Sequence, residues 1–223
     1  MAIRKIVTVG GPREKILHSK AKKVNRFDPY LERLVEDMWE TMRAAPGVGL
    51  AAPQIGESIR VLVAEYEAER VALLNPEILK AEGEVLGTEG CLSIPGYVGD
   101  NVPRAESITV KGRDPKGKEI RLKAEGWWAR ILQHEIDHLD GILYTDRIKP
   151  QDVREVTEED VAEAGAPATD GHHARETRAG ADGASTHGLS TNGTPAGARP
   201  ASASAGQAAK SSKGGGARGG GRA

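Results

Sequence analysis

Apolar residues in the first third of the chain recur at helical spacing. Leu31, Leu34, Val35, Met38 and Met42 follow Asp28-Pro29, an N-cap residue and a proline suited to the first helical turn, and Pro46-Gly47 ends the run. A helix packed on a core is expected there. Downstream the pattern shortens to β-rich runs at 59–64, 71–75, 77–86, 108–111 and 120–123, the last two joined by the turn residues Asp114-Pro115-Lys116-Gly117. Helical spacing returns after Gly126. Trp128, Leu132, Ile136 and Leu139 make one stripe, and Trp127, Ile131, His134 and His138 make another. Such a helix is expected to be central, with one face against sheets and the other looking into a site, and Gly141 stops it. The order helix, strands, helix lacks a βαβ rhythm. It predicts an α+β fold in which short antiparallel sheets pack around the second helix.

Periodicity fades near residue 162. From there the chain is Ala, Gly, Ser, Thr and Pro with almost no large apolar side chain, a composition that cannot bury enough area to offset its ordering entropy. One domain over 1–161 and a disordered low-complexity tail over 162–223 are expected. The net charge of -1 argues against a globally basic nucleic-acid binder. The tail is locally basic, with Lys210, Lys213, Arg218 and Arg222 among glycines, so an electrostatic contact with RNA is one reading of it. A passive extension fits that composition equally well. Residues 1–5 lack the apolar run of a signal peptide, no segment approaches a membrane span, and a single cysteine permits no internal disulfide. A cytoplasmic protein is expected.

The candidate chemistry sits on the second helix. His134-Glu135-Ile136-Asp137-His138 places two imidazoles one turn apart, able to point at one ion, with Glu135 beside them as a proton carrier. A catalytic divalent metal usually takes three protein ligands, so a third has to be found. The position where metzincins carry a further His holds Tyr144, and a thermolysin-like Glu could only be Glu158 or Glu159, close to the tail. The remaining candidate is Cys91, in Glu89-Gly90-Cys91-Leu92-Ser93. A lone cysteine is more often a small buried hydrophobe, but a glycine and a charged Glu89 beside it are unusual for that role. A third stretch, residues 47–56, is small, apolar and nearly uncharged. Its Gln54 could donate a hydrogen bond to a carbonyl oxygen that gains charge.

Together these stretches, GVGLAAPQIG at 47–56, EGCLS at 89–93 and HEIDH at 134–138, resemble the peptide deformylase family, and the likeness runs over about residues 6–150. The resemblance implies a metal-dependent hydrolase that removes the formyl group from the formyl-methionine of nascent polypeptides and releases formate. It implies that Cys91, His134 and His138 hold the ion, that Glu135 is the acid/base, and that Gln54 and the Leu92 N–H meet the oxyanion. Ferrous iron is the implied metal, with nickel, cobalt or zinc as substitutes; two imidazoles and a thiolate suit zinc as well. The peptide would lie as an added strand beside Val48, Gly49 and Gly90, and an apolar pocket would take the methionine side chain. The lead-in Gly126-Trp127-Trp128-Ala129-Arg130 looks more like the organellar-type branch, so Trp127, Arg130 and Gly87 are expected to reshape that pocket. Arg104 matches a recurrent family arginine but is expected to be a solvated surface charge. Substrates emerging from the ribosome would give the basic tail a transient partner there. Two readings compete: a generic HExxH zinc endopeptidase using Glu158 or Glu159, and a silent member that only binds formylated termini, disfavoured by the presence of Glu135.

Overall fold

The computed structural model describes residues 2–158 and residue 160; the expected tail over 162–223 lies outside the described residues. Helix α1 spans Pro29–Ala44, and the Asp28 carboxylate accepts from the Tyr30 and Leu31 N–H groups at its start. The expected stripe is buried, joined by Trp39. The Ala45 N–H closes the last turn on Thr41 and Met42, and Pro46 cannot continue it.

Among the described residues, eight strands follow in two antiparallel sheets: β1 Gly49–Ala51, β2 Val61–Tyr66, β3 Glu69–Glu82, β4 Val85–Cys91, β5 Ile94–Arg104, β6 Ser107–Arg113, β7 Glu119–Glu125 and β8 Val153–Glu155. Helix α2, Gly126–Asp140, stands between β7 and β8 in the chain. The larger sheet runs β1-β2-β3-β6-β7 and the smaller β4-β5-β8. The larger sheet is covered on both faces. Along β2, Leu62 and Ala64 pack into a core with Trp128, Leu132, Ile136 and Leu139 of α2, whereas Val61 and Val63 pack with Leu34, Met38 and Met42 of α1. The period of two explains why this strand reads as a continuous apolar run.

The expected strands 71–75 and 77–86 are divided differently. Strand β3 runs through to Glu82 with a register shift between Leu74 and Glu77, where Pro76 has no N–H to give and Asn75 takes φ 51°. The Asn75 side chain bonds both the N–H and the C=O of Val24 at 2.8 Å, which holds that bend. Leu86 belongs to β4. Strand β5 was not expected, because Pro95, Gly96, Gly99 and Pro103 lie within it. The turn at 114–117 forms, with the Gly117 N–H on Asp114 O at 2.9 Å. Helix α2 is central and ends at Gly141, whose φ of 74° suits a residue without a β-carbon, and the Ile142 N–H returns to Asp137 O at 3.0 Å.

Candidate metal centre

Positions i and i+4 of α2 bring the rings of His134 and His138 to 4.9 Å between centroids, at 74° to one another. Cys91 ends β4, just before the Leu92-Ser93 turn into β5, and its Sγ lies 3.2 Å from His138 Nε2. One ligand atom from each of the three side chains falls within 4.8 Å of the others, the one such group found among the described residues. Glu158 is exposed and Glu159 lies outside the described residues. Tyr144 is buried with its ring 6.4 Å from that of His134.

The charges around these groups prepare them for a cation. Glu89, 4% exposed, meets His134 Nδ1 through Oε2 at 2.8 Å, which makes Nε2 the ring nitrogen on the Cys91 side and the one to hold an ion. Burial works against the Glu89 charge, but hydrogen bonds from Arg104 and His134 outweigh it and hold the carboxyl well below its usual range. Burial also works against a Cys91 thiolate, and the charges and hydrogen bonds of His138 and His134 hold the thiol well below its usual range nonetheless. His134 is the other half of that pair. Despite its burial, hydrogen bonds to Cys91 and Glu89 raise it well above an ordinary imidazole. A thiol and an imidazole that bias one another toward the charged pair make a donor set in which a divalent ion can replace the proton, and their convergence with His138 means that the residues fit a metal.

The expectation that Arg104 is a solvated charge is corrected. It is 3% exposed, forks onto both Glu89 oxygens at 2.8 and 2.9 Å, and also bonds Asp137 of α2, which Arg147 grips at 2.5 Å. Two acids offset the cost of burying the arginine, and neither could be identified from its neighbours in sequence. Arg130 is buried as well and donates to Glu89 Oε1 at 2.8 Å. Local sequence assigns Glu89 and Asp137 no role. The available signal was an acid next to the cysteine and another inside HEIDH.

Glu135 is 4% exposed, with Oε2 making no hydrogen bond among the described residues, and burial pushes its carboxyl up to about 7. Gln54 comes from the short 3-10 turn Ala52–Ile55 after β1. Its Oε1 accepts the Ala51 N–H at 2.7 Å, which fixes the amide so that Nε2 faces Ser93 Oγ at 3.3 Å and Cys91 Sγ at 3.6 Å. The Leu92 side chain packs on the α1 core, anchoring the residue after Cys91. Gly49 lies so close to Glu135 that an added β-carbon would overlap its carboxylate. Val48, Gly90 and Trp127 are exposed. Strands β1 and β4 are each terminal in their sheets, so each keeps one edge without a partner strand among the described residues.

A sequence model of the polypeptide deformylase family matches residues 3–154. The chain is 54% identical over 147 residues to a peptide deformylase of Dictyoglomus turgidum, covering 66% of this chain and 92% of the relative. It is 47% identical over 176 residues to one of Thermomicrobium roseum, covering 74% and 98%. Among solved structures it resembles a peptide deformylase from Legionella pneumophila at 46% identity with a TM-score of 0.63, over 68% of this chain and 89% of that one. The enzyme from Thermotoga maritima matches at 40% identity and the same TM-score, over 67% and 100%. The chain belongs to the polypeptide deformylase family, metal-dependent hydrolases that remove the formyl group from the N-terminus of nascent polypeptides.

Proposed function

We propose that this chain performs that reaction with Cys91, His134 and His138 holding one divalent ion, Glu135 moving the proton, and Gln54 with the Leu92 N–H receiving the oxyanion. The observation that carries the reading is the convergence of Sγ and two imidazoles beside a buried carboxyl poised near neutrality. The bound ion would supply an acidified water and polarise the formyl carbonyl. Glu135, able to exchange a proton near pH 7, takes one from the attacking water and delivers it to the departing amine, which yields formate and a free N-terminus. Gln54 has its oxygen committed to Ala51, so its NH2 is the half offered to the developing charge. The open edges of β1 and β4 suit an extended peptide bound through its main chain beside Val48, Gly49 and Gly90. Trp127 stands at the start of α2 as an exposed apolar wall for the first side chain.

Ferrous iron is the ion assigned, on the family likeness, while the donor set also accepts zinc, nickel or cobalt. The catalytic domain is taken to end near residue 161, in line with the family match to residue 154. We assign the enzyme to the cytoplasm on the chemistry of its substrate, the formylated nascent chain. The basic end of the chain offers ribosomal RNA an electrostatic contact. Metal analysis of anaerobically prepared protein tests the ligand set. About one ion per chain is expected for the parent and for Glu135→Ala, and loss of the ion for Cys91→Ala; an ion retained by Cys91→Ala contradicts the assignment.

A further inference from the structure

The reaction uses His134, but not the side chain one turn before it. Arg130 and His134 stand at i and i+4 of α2, and both reach the same carboxylate of β4: Arg130 Nη1 donates to Glu89 Oε1 at 2.8 Å, and His134 Nδ1 meets Oε2 at 2.8 Å. The guanidinium also donates to Val102 O of β5 at 3.0 Å and to Val85 O of β4 at 3.1 Å, so it ties three elements together around Glu89. Arg104 occupies both carboxylate oxygens from another side. The room for Arg130 comes from Gly87. A β-carbon built there would lie 2.9 Å from Cζ and 2.9 Å from Nη2 of Arg130, closer than such carbons approach their neighbours.

We propose that Arg130 is a positioning residue for His134, acting through Glu89, and that Gly87 is the second half of the device because its missing side chain admits the guanidinium. Glu89 precedes Cys91 by two residues on the same strand. Fixing Glu89 to α2 therefore sets both the rotation of the His134 ring and the separation between the helix ligands and the strand ligand. Partners that orient a ligand in this way are worth about 10–100-fold in metal affinity. The proposal rests on the assignment of His134 as a ligand, and the test separates the two.

Full-length protein loaded with cobalt is compared as parent, Arg130→Lys, Gly87→Ala and His134→Ala, by chelator competition and by the thiolate-to-cobalt absorption band. Arg130→Lys keeps the charge and removes the fork. Gly87→Ala leaves every charged residue in place and sets a methyl group against the guanidinium. Both are expected to lose about 10–100-fold in cobalt affinity with a shifted band, beyond any change in melting temperature. Cobalt held by either variant within about twofold of the parent, with an unchanged band, overturns the proposal and leaves Arg130 a structural staple. His134→Ala is expected to lose the ion. If it keeps cobalt with an unchanged band, the ligand assignment itself is wrong and the proposal falls with it.

Discussion

Glu135 is held in a site where its charge is costly, and this gives the metal-free protein a pH dependence of known sign. Its folded value of about 7 lies above the ordinary carboxyl value, so the unfolded chain ionises first, and the stability associated with the neutral carboxyl is lost as pH rises through the window up to about 7. Glu135→Gln keeps the neutral shape. Thermal melts of metal-free protein are expected to show the variant more stable by several degrees near pH 8 and little changed near pH 5; equal shifts at both would contradict the assignment. The residues that could be read from sequence were those on fixed local spacings: His134 and His138 one helical turn apart, and Cys91 and Gln54 within short motifs. Glu89 could not be given its role, because its partners Arg104, Arg130 and His134 lie 15, 41 and 45 residues away and converge only through β4, β5 and α2. Arg104, next to Pro103 and outside every run that reads as a strand, resembles a solvated charge in sequence, whereas the fold buries it against Glu89 and Asp137.

Helix α1 was legible because cap, stripe and stop agree, and α2 because its stripes and its stop at Gly141 agree over several turns, although Glu125 at its start makes no side-chain cap. The strands were legible where apolar residues alternate, as in β6 and β7, or run continuously, as in β2, and were hidden where prolines and glycines carry the ladder, as in β5. The three-residue β1 could not be seen as a strand at all, although it brings Gly49 against Glu135. That close approach makes a test of how β1 and α2 are set. Gly49→Ala is expected to push the carboxylate aside and to lower kcat by roughly tenfold or more, while metal content stays at the parent level. Unchanged turnover would mean that the spacing between β1 and α2 has no catalytic consequence.

The whole described molecule is arranged so that two sheets and one helix each contribute to a single site: Gln54 follows the edge of the larger sheet, Cys91 ends the edge strand of the smaller, and α2 supplies the remainder. Every residue assigned to the chemistry lies before residue 139, well ahead of the tail. Truncation after residue 161 is expected to leave kcat/KM on a short formylated peptide within about twofold of the full chain, and a tail contact with the ribosome would show as reduced co-sedimentation at low salt. A large loss of peptide turnover would place catalytic determinants in the tail. Deformylation by Glu135 and the Cys91-His134-His138 centre is measured anaerobically as formate release from a formyl-methionyl peptide, using iron-loaded full-length protein beside Glu135→Ala. Catalytic release is expected from the parent, and a loss of several orders of magnitude from the variant, whose metal is retained. No release by the iron-loaded parent, or release by Glu135→Ala at the parent rate, would contradict it.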